Sequence, residues 1–449
     1  MRQSLWLLAI HLTCGGILTA ATAPQFGIIG FQHANASNMV VIGDSLSAGF
    51  QNYSLYDYTS ADQGTCPSVN CIPATVPVPA GGQAFGFAAQ IAKQAGVSLD
   101  LPLIAYPGLP PVLTLNPADG LLERGSIVGS REPQTLATQT RNLSVPGFTL
   151  GNALSYSVSP SALVNPAGAS VEDLLALEIL GYPSLNDLPN SCGVVPMPDG
   201  SVTISALGCA VKLKPSLAIV SIGSNDVVPT ILDGTPPTDP AVFEAEYLQL
   251  VYTLKQAGAE VIVANIPDVT LAPVLQSYAQ FEARCGVPPS GATPADYVVP
   301  DLTNATLSSF NVCTNYSIRS AALIAQARST IQQYNQTIAS VAASVKAPVV
   351  DLYGLVNQLA AYGYEVGGVP LTTQYLGGLF SLDGLHPTNT GYAIMANAFI
   401  GVMNRDFHTL IPPIAVDQVA ATDPLIFPVE FCPTFVADTP CLSVRSTPR

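Results

Sequence analysis

The chain has 449 residues, of which 48% are hydrophobic and only 10% charged, and 30 acidic against 15 basic side chains leave a formal net charge of −15. That length can bury a large core and would suit about three domains of average size. The acidic balance argues against nucleic acid and anionic membrane surfaces as partners.

The first residues read as a targeting segment. Arg2 precedes an apolar stretch from Leu5 to Leu18, and Ala21-Thr22-Ala23 offers a small-x-small cleavage site. This predicts a signal peptide over 1–23, cleaved near Ala23. The stretch is too short and broken to span a membrane, and none of the later ones reaches the roughly 18 unbroken apolar residues required. The expected product is a secreted, extracellular or periplasmic protein with no integral membrane association.

Cysteine usage agrees with export. Loss of Cys14 from the nine cysteines leaves an even number, arranged as near neighbours along the chain. Such a set predicts the disulfides Cys66–Cys71, Cys192–Cys209, Cys285–Cys313 and Cys432–Cys441. There is no Cys-x-x-Cys pair, so no metal is expected. Six Asn-x-Ser/Thr sequons stand at Asn35, Asn52, Asn142, Asn304, Asn315 and Asn335.

Hydrophobic periodicity orders the chain. Met39-Val-Val-Ile42 is a short buried strand that runs straight into Gly43-Asp44-Ser45-Leu46. A serine at the carboxyl end of such a strand stands where open α/β sheets place their sites. Gln51 to Pro79 reads as loop. Gln83 to Gly96 reads as a helix with Phe87, Ala88, Ile91 and Ala92 on one face, and Leu101 to Ala105 as a strand. Pro107 to Gln139 is a Pro/Gly-rich insertion of the kind that often carries binding loops. Asn142 to Gly147 reads as a short strand ending in a glycine turn. Val171 to Leu180 is helical, and a second insertion extends to Leu213. Ser216 to Asp226 is a buried strand ending in Gly223-Ser224-Asn225-Asp226. A helix over Ala241–Ala257, a strand over Glu260–Ile266 and a long helix from about Tyr316 to Val345 follow. That long helix repeats Ile324, Ile331, Ile338 and Val345 as a core-facing stripe. Ala347 to Leu352 is the last strand, and Asn389 to about Arg405 is the closing helix. Apolar strands alternating with helices predict one α/β domain over 24–406, with a mostly parallel sheet covered on both faces. A Pro-rich extension occupies 407–449.

Four of these segments end in residues that acyl transfer needs. Ser45 is the candidate nucleophile, which requires a base to take its proton. His386 is the candidate base, beside His33 and His408 as the other histidines left after cleavage. Asp383 lies three residues earlier, a spacing that lets one tight loop bring a carboxylate to Nδ1, fix the tautomer and stabilise the imidazolium. Gly147, Asn225 and the N–H of Ser45 are candidate donors to a developing oxyanion. Asp44 and Asp226 read as structural, tying their turns by local hydrogen bonds. Tyr53, Tyr56 and Tyr58 are loop aromatics that could line an acyl site. Each block alone fits an ordinary turn; four in this order on an α/β pattern do not arise readily by chance. No Gly-x-Ser-x-Gly elbow occurs, which argues against the α/β-hydrolase fold.

Gly43-Asp44-Ser45-Leu46, Gly147, Gly223-Ser224-Asn225-Asp226 and Asp383-Gly384-Leu385-His386-Pro387 resemble the four blocks of the GDSL (SGNH) hydrolases, in the family's order. The resemblance spans about Met39 to Arg405. It implies a flavodoxin-like three-layer α/β/α fold and a secreted esterase or lipase. By it, Ser45, Asp383 and His386 form the catalytic triad, and Ser45, Gly147 and Asn225 the oxyanion hole. Gly108 competes for the second block, and Phe148 is bulkier than the small residue often found after that glycine. The expected activity is cleavage of small-molecule or lipid carboxylic esters through an acyl-enzyme, without cofactor. A carbohydrate O-acetyl esterase and a catalytically silent secreted binding protein are the alternatives.

Overall fold

The computed structural model describes residues 36–58, 81–115, 121–164, 168–181, 192–302 and 310–426. The segment over 1–23 with its cleavage site, and the pairs Cys66–Cys71 and Cys432–Cys441, lie outside the described residues.

Four short strands form the central sheet: β1 (Met39–Gly43), β2 (Leu217–Ser221), β3 (Glu260–Ala264) and β4 (Val349–Val350). All neighbours pair in parallel, in the order β1-β2-β3-β4. On the outer edge of β1, Val41 N–H donates to Arg141 O, Leu143 N–H to Val41 O, and Val145 N–H to Gly43 O. Residues 141–145 therefore act as an irregular second strand, though only Asn142 bridges to Val41. With it, the spatial order in chain numbering is 2-1-3-4-5, the flavodoxin-like arrangement.

The strands are apolar on both faces because helices cover both. Met39, Val41, Leu217, Ile219 and Ile262 pack against α1 (Phe87–Ala95) and α4 (Asn389–Asp406). Val40, Ile42, Ala218, Val220 and Val263 face α2 (Pro240–Gln256) and α3 (Ala321–Val345). Phe87 stacks on Phe399 in the first layer and Phe243 on Tyr334 in the second, with ring centroids 4.6 and 4.0 Å apart. Each such side chain contributes about 1.5–3 kcal/mol by leaving water. The sheet is thus the middle layer of three.

Several boundaries move for local reasons. The first predicted helix breaks at Gly86, whose ψ of 148° separates the Gln83–Phe85 3-10 turn from α1; a Cβ there would stand 2.7 Å from Gly49 Cα. Leu101 to Ala105 forms only isolated bridges. Pro102 has no N–H, and the Gln83 side chain stands in for a partner strand by bonding Pro102 O and Ile104 N–H. Tyr316–Arg319 is not the start of the long helix but a strand antiparallel to Tyr297–Pro300, and Ser320 caps α3 through Leu323 N–H. The strand predicted to Leu352 stops at Val350, where Asp351 caps a helix over Leu352–Tyr362 that periodicity did not show.

In the second insertion, Val194–Pro196 and Val202–Ile204 pair antiparallel and take Tyr156–Val158, from before it, as a third strand; a helix over Ala206–Leu213 follows. The disulfide Cys192–Cys209 ties that sheet to that helix, and Cys285–Cys313 closes the loop between the Tyr278–Cys285 helix and the Tyr316–Arg319 strand. Past Phe407 the chain packs back: Ile411 joins the sheet layer, while Val416, Ala420 and Ile426 cluster with Ile394 of α4. Among the described residues, no helix is long and apolar enough to cross a membrane.

Candidate active site

β1 ends at Gly43, where no side chain fits. A Cβ would stand 2.1 Å from Ser47 Oγ and 2.6 Å from Ser221 O. Asp44 then caps a single helical turn, Ser45–Ala48, by accepting from Leu46 N–H at 3.0 Å, and Gly49 ends the turn at φ 81°. Ser45 N–H stands in the first turn of this helix, where backbone donors lack partners within the helix. The turn lies at the carboxyl ends of β1 and β2, the point where the strand order reverses.

Across the chain, Asp383 and His386 share one tight loop after Ser381, closed by Ser381 N–H to His386 O and Gly384 N–H to Ser381 O. His386 Nε2 lies 2.8 Å from Ser45 Oγ and its Nδ1 lies 2.9 Å from Asp383 Oδ2. Asp383 Oδ1 accepts from the N–H groups of Leu385 and His386, each at 2.8 Å, and Oδ2 also accepts from Tyr53 N–H at 2.7 Å. Burial pushes the Asp383 carboxyl up, but the facing His386 charge, the ring hydrogen bond and the two loop N–H groups together hold it below the ordinary carboxylate value. The Phe50 ring packs 4.8 Å from the imidazole.

Gly147 follows the edge segment two residues after Val145, at φ 87°, which brings it past the end of β1. Asn225 comes from the Ser224–Asp226 turn after β2 and donates Nδ2 to Phe148 O at 3.0 Å. An amide carries two hydrogens, so one remains for another acceptor. Ser45, Gly147, Asn225, Asp383 and His386 thus converge from four separate segments at one edge of the sheet. Gly108 instead lies beside Ser54–Tyr56, where an added Cβ would stand 2.0 Å from Ser54 Oγ. Phe148 is buried against Tyr156 with its ring turned into the core.

The two structural aspartates differ from expectation in one respect. Asp44 bonds locally, as read. Asp226 does not: it accepts from Leu150 N–H at 2.8 Å and from Thr238 Oγ1 at 2.7 Å, joining the Gly147 segment to the Asn225 turn. Burial raises both carboxyls to about 6, against partial relief from these donors. Tyr56 and Tyr58 are buried; Tyr53 lies under the Arg124 guanidinium, 5.3 Å from its ring centroid. His408 is exposed, and His33 lies outside the described residues. Asn52, Ser381 and the Tyr53 N–H contact to Asp383 escape sequence reasoning, because the partners lie about 330 residues apart and leave no local signal.

A family model described as GDSL-like lipase/acylhydrolase matches residues 39–399. The chain belongs to this family and is an ester hydrolase. No curated protein sequence matches it. Among solved structures it is similar to LAE5, an alpha/beta hydrolase enzyme from the metagenome of Lake Arreo, at 14% identity over 84% of this chain and 98% of that one, TM-score 0.35. The acetylxylan esterase Axe2 from Geobacillus stearothermophilus is 11% identical over 85% and 97%, TM-score 0.35. The lipase/acylhydrolase from Enterococcus faecalis is 13% identical over 84% and 98%, TM-score 0.31.

Proposed function

We propose that the protein is a secreted serine esterase or lipase that cleaves carboxylic esters through an acyl-enzyme on Ser45. The observation that carries this reading is the unbroken line from Ser45 Oγ to His386 Nε2 and from His386 Nδ1 to Asp383, at 2.8 and 2.9 Å. His386 takes the Ser45 proton as Oγ attacks the ester carbonyl. Asp383 holds the imidazole in the tautomer with Nδ1–H and stabilises the imidazolium that forms. The oxyanion is met by Ser45 N–H, Gly147 N–H and the second Asn225 N–H. His386 then protonates the departing alcohol and activates a water that attacks the acyl carbon. Electron pairs and protons close over these residues, so the chemistry requires neither metal nor cofactor. Export is supported by the N-terminal sequence pattern and by the two disulfides, which persist in oxidising compartments.

The test is hydrolysis of p-nitrophenyl esters from acetate to palmitate, beside Ser45→Ala. The wild type turns over, and Ser45→Ala loses kcat on the order of 10⁴–10⁶. Preference for long chains identifies a lipase; activity on acetate alone moves a carbohydrate O-acetyl esterase to first place. If wild type and variant are equally inert and a fluorophosphonate labels neither, the protein is a binding protein on a hydrolase scaffold.

A further inference from the structure

Directly after the nucleophile turn, the chain adopts a conformation that its residues do not favour. Asn52 and Tyr53 follow one another with φ 49° and 61°, in the left-handed region usually left to glycine. Consecutive residues of this kind persist only where surrounding structure over-determines them, and they gather at functional sites. Here the surroundings are the loop and helix start that carry Asp383 and His386.

Five hydrogen bonds join the two regions. Tyr392 Oη donates to Phe50 O at 2.7 Å and Gln51 Nε2 to Asn389 Oδ1 at 2.8 Å. Asn52 N–H donates to Ser381 Oγ and Leu382 N–H to Asn52 Oδ1, each at 3.0 Å. Tyr53 N–H completes the set on Asp383 Oδ2 at 2.7 Å. Gln51 and Asn52 are each only 3% exposed, so these bonds do not compete with bulk water. Asn52 Nδ2 is used as well, donating to Tyr56 Oη at 3.2 Å, and Asn52 O accepts from Leu113 N–H at 2.8 Å. The main chain of Asn52 and its side chain thus hold two successive residues of the Asp383 loop.

We propose that the Gln51–Tyr53 turn is the element that sets Asp383 and His386 in register with Ser45, and that Asn52 is its positioning residue. Only Gly49 and Phe50 separate this turn from the Ser45–Ala48 helix, so the turn moves with Ser45. Any shift of the Asp383 loop relative to Ser45 must therefore break bonds to the turn. With left-handed φ values at Asn52 and Tyr53, the Asn52 side chain and the Tyr53 N–H both meet the Asp383 loop. This inference rests on the reading of Ser45, Asp383 and His386 as the catalytic centre.

The test compares Asn52→Gly, Ser381→Ala, Ser45→Ala and wild type on p-nitrophenyl acetate across pH, with circular dichroism and thermal melts alongside. Glycine accepts the backbone conformation of Asn52 while removing its side chain. The expected result is a folded Asn52→Gly protein whose kcat falls about 10- to 100-fold, with KM changed little. The acid limb of its kcat/KM profile moves to lower pH, because a displaced carboxylate stabilises the imidazolium less. Ser381→Ala, which removes only the acceptor for Asn52 N–H, shows the same signature at about 3- to 10-fold. A folded Asn52→Gly with the wild-type kcat and pH profile overturns the proposal. If Asn52→Gly does not fold, Ser381→Ala decides by the same criteria, and loss of fold in both overturns a role confined to positioning. Ser45→Ala separates the two levels: activity retained there sinks the catalytic reading itself, whatever the Asn52 variant does.

Discussion

Ser45 is held by its own neighbours, whereas the loop of Asp383 and His386 is held by residues from the other end of the chain. Around Ser45, a glycine at the strand end, an aspartate cap and a left-handed Gly49 all fall within residues 43–49, and Ser47 adds two bonds beyond them, Oγ donating to Ser221 O and its carbonyl accepting from Asn142 Nδ2. The Asp383 loop has internal closure too, but its place depends on Asn52, Tyr53 and Val274, whose N–H donates to Gly384 O at 2.8 Å. Behind the loop, Asp423 of the extension accepts from Thr390 N–H and Oγ1 at the start of α4. One half of the site is a local motif, and the other is a tertiary assembly. Short-range geometry can present a nucleophile, but a proton relay must bring distant backbone segments together within hydrogen-bond range.

The largest effect expected on the assembled half is that of Asp383→Asn. It keeps the side chain's shape yet removes the charge that fixes the imidazole tautomer, so kcat falls on the order of 10⁴. Steady-state kinetics on p-nitrophenyl acetate measures this, and a loss below about tenfold would mean that His386 is oriented without Asp383. Asn225→Ala comes next. It removes one of the proposed oxyanion donors and is expected to cost on the order of 10²–10³ in kcat; an effect on KM alone would place Asn225 in ground-state binding instead.

Gly43→Ala probes the local half. The added methyl meets Ser47 Oγ at 2.1 Å and Ser221 O at 2.6 Å, the second being backbone that cannot rotate away. Overpacking of this kind destabilises by about 1–3 kcal/mol, read from the urea midpoint. An unchanged midpoint would show that the end of β1 has slack, and the contrast between the two halves would weaken.

An effect of similar size, visible only as a pH dependence, concerns Asp226, which couples the Gly147 segment to the Asn225 turn. Its folded value of about 6 lies above the ordinary 3.8. A raised acid value means that the folded state binds the proton more tightly, so Asp226 favours folding below about pH 4 and loses that contribution as pH rises to about 6. Asp383, shifted the other way, favours folding above the ordinary value and loses its contribution on acidification. Asp226→Asn therefore gains stability at pH 7 relative to pH 4, by up to about 3 kcal/mol compared with wild type. Urea unfolding at the two pH values checks it; parallel pH slopes for the two proteins would sink the assignment.

Much of this was legible beforehand, for particular reasons. Met39–Ile42 and Leu217–Ser221 are short apolar runs punctuated by Gly43 and Gly223, and such runs lose most by remaining in water. Ser320 and Asp351 cap their helices in the structure, yet periodicity alone merges Tyr316–Arg319 with the following helix and does not mark Leu352–Tyr362. In both places tertiary contacts outweigh periodicity: Tyr297–Pro300 offers an antiparallel partner, and the pairing of β4 with β3 ends at Val350. Of the six sequons, Asn52, Asn142 and Asn335 spend their amides on bonds to distant or buried partners, while Asn315 is exposed and donates to its neighbours Asn311 and Thr314; Asn35 and Asn304 lie outside the described residues.

The sequence by itself determined the parallel α/β layering, the strand-end serine and the Asp-x-x-His loop, because periodicity, glycine punctuation and short spacing are properties of contiguous residues. Only the tertiary structure decided that Gly147 rather than Gly108 stands beside Asn225, that Asp226 joins their two segments, and that Asn52 and Tyr53 grip the Asp383 loop. Those choices depend on which backbone donors meet which acceptors across hundreds of residues, and hydrogen bonds at that range have no period in the chain.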